Sequence, residues 1–239
     1  MSFFWQGTCK REGVPIRRQE GTAGYVFHVI NRGVRRMTLF SDAGDYLAWL
    51  RTFAEAQTRV PIDVFAYCLM PNHFHLVIRP RRDGDLAEFM RLGTVTHSKR
   101  WHESRGSRGT GAVYQGRYRA FPVASERYFL NVCRYVEANA LRAALVEHAE
   151  IWPWSSLAAR CSNCHLLGLA EWPIPRPSDW GDRVNQAPPA TELGALRLSV
   201  RRSRPFGPEV WARSTAASLG IPVLRSPGRP RKTTSGVVF

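Results

Sequence analysis

A mixed α+β domain built on antiparallel strands, with a basic helical extension behind it, is the fold class this sequence predicts. Three observations carry that expectation. First, β-branched and aromatic runs at 64–70 and 73–78 flank a Pro71-Asn72 turn, the pattern of an antiparallel hairpin. Second, segments with apolar residues at helical spacing stand on either side of the hairpin. Third, past Val146 the composition turns to Trp and Pro and then to arginine.

Taken in order, residues 1–21 mix Arg, Gly and Gln without periodicity and form an N-terminal arm. Residues 25–32 are β-branched and aromatic, read as a strand, and end at Gly33; His28 within them is expected to be a packed core residue. Ser41-Asp42 offers a cap to a helix over 42–58, in which Tyr46, Leu47, Leu50, Phe53 and Ala54 share a face; Pro61 lies beyond its end. After the hairpin a second helix is expected from 85 to 101, with Leu86, Phe89, Met90 and Val95 on its buried side. His97 and His102 stand five apart on or near it, the wrong interval for a metal pair on one face. Residues 104–111 form a Gly/Ser/Arg loop, and 112–121 read as a strand. Its alternation sends Tyr114 and Tyr118 one way and Arg117 and Arg119 the other, which suits either a platform for single-stranded nucleic acid or an edge strand with core tyrosines. A third helix is expected over 125–144, with Phe129, Val132, Cys133, Val136 and Ala140 as its apolar stripe and Tyr128, Asn131, Tyr135, Asn139 and Arg142 as a polar and aromatic row beside it.

The domain bounds that follow are 22–160 for the main domain, 161–190 for a Trp/Pro-rich connector and 191–239 for the extension. Two short helices, 191–201 and 208–219, outline a helix-turn-helix in a region where nine Lys and Arg from 197 to 232 face the single Glu209. Arg201 and Arg202 fall there, and Arg229 and Arg231 belong to a Gly-Arg-Pro tail resembling an AT-hook, suited to the minor groove. Cys161, Cys164 and His165 have the letters of a haem attachment site, but no export signal or fourth zinc ligand accompanies them.

The charge narrows the partner. A formal +15 from 34 Lys and Arg against 19 Asp and Glu, nearly all the cations arginine, favours a polyanion. With no apolar stretch of about 18 residues, an odd count of five cysteines and no signal-peptide pattern, the expectation is a cytoplasmic, nucleoid-associated protein with no membrane partner. His73 and His75, two apart on one strand, place two imidazoles on one face about 7 Å apart, with Phe74 pointing inward and the pair outward. Imidazoles beside a basic cleft suit metal-assisted phosphodiester chemistry. Tyr135 and Asn139, at i and i+4 on the third helix, offer a nucleophilic phenol and a third ligand oxygen, or else a helix face packed on the sheet.

The segments 69–77, 114–118 and 134–139, with Leu141 and Arg142 behind them, resemble the motif set of the HUH single-tyrosine transposases, and more closely the REP-associated branch. The likeness spans 24–157. It implies a ferredoxin-like domain in which His73 and His75 are the HUH pair, Asn139 completes a site for Mg or Mn, and Tyr135 attacks single-stranded or hairpin DNA to leave a 5′-phosphotyrosine. The chain departs from the family pattern at Ala140 and Ala144, where proline and glycine are usual, and both changes are expected to lengthen the helix. A DNA-binding repressor without chemistry and a metal-dependent nuclease using water are the rival readings; the assembly is a monomer or homodimer. The spatial expectation is that Tyr135 and Asn139 lie against the face carrying His73 and His75.

Overall fold

The computed structural model describes residues 21–221; the N-terminal arm before Gly21 and the tail carrying Arg229 and Arg231 lie outside them. Four strands, β1 (Val26–Arg32), β2 (Ile62–Met70), β3 (His73–Pro80) and β4 (Arg119–Val123), form one antiparallel sheet in the order β2-β3-β1-β4. With α1 (Ala43–Arg59) and α2 (Asp85–Ser104) this is the βαββαβ arrangement of a ferredoxin-like fold. The side chain of Asp42 caps α1 by accepting from Asp45 N at 3.1 Å, and the helix ends at Val60, whose extended backbone suits a residue before proline.

Alternation along the strands makes two cores. Phe27, Val29, Phe74 and Leu76 face α1 and α2, where they meet Trp49, Phe53 and Phe89, each fully buried ring adding roughly 1.5–3 kcal/mol. The two helices approach closely at Gly93, where a Cβ would lie 2.5 Å from the Phe53 ring. On the opposite face Cys68, Met70, Val77 and Phe121 pack against Phe129, Val132, Cys133 and Val136 of α3 (Arg127–Glu137). The histidine pair is on this second face, so it points at a helix layer and not at open solvent.

Two predicted elements differ. The strand expected over 112–121 begins only at Arg119: Tyr114 makes a single bridge to Gly33, and its hydroxyl is bonded in the core to His97 Nδ1 at 2.8 Å. The helix expected over 125–144 breaks at Ala138, and α4 (Asn139–Arg142) follows. The Asn139 side chain donates to Val136 O at 3.2 Å, taking the carbonyl that a continuous helix would give to Ala140 N. The chain then turns through Ala144 at φ 52°, with Ala144 N and Leu145 N bonded to Leu141 O and Ala140 O. The two alanines therefore do not lengthen the helix.

The connector packs as part of the second core. After α5 (Ser156–Ser162), the Trp172 ring meets Phe129 at 5.2 Å and Trp180, first residue of α6 (Trp180–Asn185), at 4.9 Å. Residues on both sides of α5 cover the β2 edge, through Leu69 N to Trp154 O at 2.9 Å and Ala170 N to Val64 O at 2.8 Å. The extension supplies α7 (Ala190–Arg202) and α8 (Glu209–Ser218). Between them Phe206 pairs with the β4 edge, accepting from Ala124 N and donating to Pro122 O, both at 2.9 Å. Gly207 allows that approach, since a Cβ there would lie 2.4 Å from Trp211 and 2.7 Å from Ala124. The extension is thus laid on the main domain, α7 against α3, in place of a detached helix-turn-helix. Among the described residues no helix is long and apolar enough to cross a membrane.

Candidate active site

β1 and β3 set three histidines on one face, because the register pairs Arg32 with His73 and Ile30 with His75 and so aligns His28 beside them. His75 Nδ1 is 2.8 Å from His28 Nε2, the rings stacked with centroids 5.0 Å apart. His73 Nδ1 is 2.6 Å from Asn72 Oδ1. Both rings are therefore oriented through Nδ1, which leaves Nε2 to face a ligand, the usual division of labour in a metal-binding imidazole. Burial, with Arg32 adding to it, lowers the His73 pKa to about 4; burial and the neighbouring His28 hold His75 well below its ordinary value. Neutral imidazole is the ligating form, so the pair fits a divalent cation.

Tyr135, half-buried on α3, lies edge-on to His75 and His28, its ring centroid 5.9 Å from the first and 6.2 Å from the second. The Arg142 guanidinium sits 4.0 Å from the Tyr135 ring centroid and donates to Tyr135 O at 2.7 Å. Asn139 is buried at the start of α4, and its Oδ1 accepts from Arg142 Nη2 at 2.5 Å. The structure thus brings Tyr135 to the histidines, while the oxygen expected as third ligand is held by Arg142. Among the described residues no group of three His, Cys, Asp or Glu is placed to hold a metal.

Beside Tyr135 opens a cavity of about 440 Å³, within the range of ligand clefts, roughly 300–1,000 Å³. Arg32, Arg117, Arg119, Arg197 and Arg201 line it, and no carboxylate does. Burial, with the nearby Arg32 adding to it, lowers the Arg119 pKa. Arg119 also donates to Ser203 Oγ at 3.1 Å and to Arg201 O. Of the other residues singled out, Arg202 does not line the cavity, and Tyr114 is only 7% exposed, which leaves no ring face for a base and favours the core reading.

Sequence reasoning missed His28, Arg32, Arg142 and Arg197 as site residues. His28 and Arg32 share the parity of one strand face, Arg142 follows Tyr135 by about two helical turns, and Arg197 precedes Arg201 by about one. Those intervals were signals, but only the register and the break in the third helix show what the residues meet.

Residues 22–139 match the model of the family described as IS200-like transposases. Among solved structures, a REP-associated tyrosine transposase bound to a REP hairpin is similar in fold, with a TM-score of 0.50 and 16% identity over 65% of this chain and 90% of that one. No curated protein matches significantly. The part of the chain that is similar to the IS200-like transposases, residues 22–139, is thus the part that holds the βαββαβ sheet, the histidine pair and Tyr135.

Proposed function

We propose that the protein cuts and rejoins single-stranded DNA, with the Tyr135 phenol oxygen attacking a phosphodiester. The observation that carries this reading is the placement of Tyr135 against His75, at 5.9 Å, beside a cleft lined by five arginines. By analogy with the hairpin bound to the structural neighbour, the substrate is a strand that carries a hairpin. The phenol oxygen forms a bond to phosphorus while the bond from phosphorus to the 3′ oxygen breaks. The phenol loses a proton and the leaving oxygen gains one, giving a 5′-phosphotyrosine and a 3′-hydroxyl. One phosphodiester becomes another, so a 3′-hydroxyl reverses the step without ATP.

Each residue contributes a defined part. His73 and His75, neutral and oriented by Asn72 and His28, would hold a divalent Mg or Mn ion, and Asn139, whose Oδ1 accepts from Arg142 here, would be its third ligand. That ion, when bound, supplies Lewis-acid polarisation of a phosphoryl oxygen. Arg142 sets a positive charge against the ring from which the attacking oxygen extends. Arg32, Arg117 and Arg119 hold the phosphates in the cleft.

The test is a denaturing gel after incubation with a hairpin-bearing single-stranded oligonucleotide and Mg or Mn. Wild type is expected to give a covalent protein–DNA adduct and Tyr135→Phe none. Cleavage that survives the substitution would make water the nucleophile, and binding without cleavage in either metal would leave a DNA-binding protein without chemistry.

A further inference from the structure

Helix α7 lies beyond the residues that match the family model, and its placement gives it a role of its own. Its buried Leu196 docks against α3 beside Tyr135. The space left between α7 and the α3–α4 region is about 20 Å³, room for little more than a single water molecule. Both ends of the helix are tied down. Arg134 donates to Gln186 O at 2.7 Å before it, and behind it Arg119 bonds Arg201 O and Ser203 Oγ while Phe206 joins the β4 edge.

Fixed in this way, the helix turns its next face over the cavity. Arg197 and Arg201, four residues apart and both exposed, line it opposite Arg32 and Arg117. Several arginines elsewhere meet acids: Arg100 meets Glu55 at 2.8 Å and Arg91 meets Glu88 at 2.6 Å. Here five guanidinium groups converge with no carboxylate among the lining residues, and the charge of Arg197 reaches Arg142 as well. Like charges gathered around one cavity repel until an anion enters, and one that meets all of them must carry several charges along its length.

We propose that α7 is the second wall of the active-site cleft, and that Arg197 and Arg201 bind backbone phosphates of the single DNA strand presented to Tyr135. This rests on the reading of Tyr135 as nucleophile only for the word "presented"; the phosphate contacts stand or fall separately. The helix is then part of the substrate site contributed by the extension, and it grips the strand without reading its bases.

The experiment compares full-length wild type with the double variant Arg197→Ala/Arg201→Ala and with Arg51→Ala/Arg59→Ala. The control pair removes the same charge from exposed positions of α1, across the sheet from the cleft. Binding of a fluorescein-labelled single-stranded oligonucleotide is followed by anisotropy over a KCl series. Loss of two phosphate contacts is expected to lower the slope of log K against log salt by about 1.4, and to weaken binding at low salt roughly ten- to hundred-fold, with little change in the control pair and none in thermal stability. An unchanged slope, or equal losses in both pairs, overturns the proposal. The adduct gel on the same proteins separates the two ideas: a normal adduct with an unchanged slope rejects the α7 wall and keeps Tyr135, whereas no wild-type adduct with the expected change of slope keeps the wall and rejects Tyr135.

Discussion

The imidazole of His28 touches two groups of the candidate site at once, His75 through a 2.8 Å hydrogen bond and Tyr135 through an edge-on contact at 6.2 Å. Its own Nδ1 is buried without a partner. Replacement by phenylalanine keeps a ring against Phe121, removes that unpaired nitrogen and deletes the bond that orients His75. His28→Phe is therefore expected to melt no lower than wild type in the absence of metal, yet to bind Mn roughly 10–100-fold more weakly by calorimetry. A lower melting temperature with unchanged Mn affinity would make the ring a packing residue and nothing more. The sequence placed His28 in the core, which is where it lies, but nothing in a strand pattern states that the neighbour across the sheet is His75. That contact depends on the register, which long-range pairing sets.

At the level of elements, the third helix teaches most. Its apolar stripe at 129, 132, 133 and 136 was legible from periodicity alone, and all four residues are buried on α3. Its end was not, because the stop comes from a side-chain hydrogen bond by Asn139, and asparagine at that spacing serves a continuous helix almost as well. Ala144, at φ 52°, holds the left-handed position that closes α4, where glycine has no steric penalty. Ala144→Gly is expected to stabilise the protein by about 1 kcal/mol, read as a raised urea midpoint with an unchanged slope. A lower midpoint would mean that the methyl group packs usefully enough to outweigh its strain.

Across the whole molecule, Glu137 joins α3 to the connector. Fully buried, it accepts from Ser156 Oγ at 2.5 Å and from Trp180 Nε1 at 2.6 Å, linking α3 to α5 and α6. Burial pushes its pKa above the ordinary 4.5, against the opposing pull of those two hydrogen bonds and of Arg160. Stability linked to the neutral carboxyl is thus complete below about pH 4.5 and is lost as the pH rises through the folded-state value. Glu137→Gln removes that titration, so its stability relative to wild type, from urea unfolding between about pH 4 and 8, is expected to rise with pH. A difference independent of pH would show that the carboxyl has the same affinity for protons folded and unfolded. The sheet and its order of elements were legible because hairpin, caps and periodicity agreed. The docking of connector and extension was not, since Trp172, Trp180 and Phe206 find partners more than about 40 residues away, and no local pattern encodes such pairings.

The coverage of the two outer strands has one more consequence. Bare strand edges are templates on which another chain can grow the sheet. Here Trp154 and Ala170 bond to β2, Phe206 bonds to β4, and Pro122 within β4 offers no amide proton at all. Neither a second copy nor a stray extended peptide can add a strand at those positions without first displacing the chain's own later residues. At those positions recognition falls to side chains, because the backbone groups of the outer strands are already taken by the chain itself.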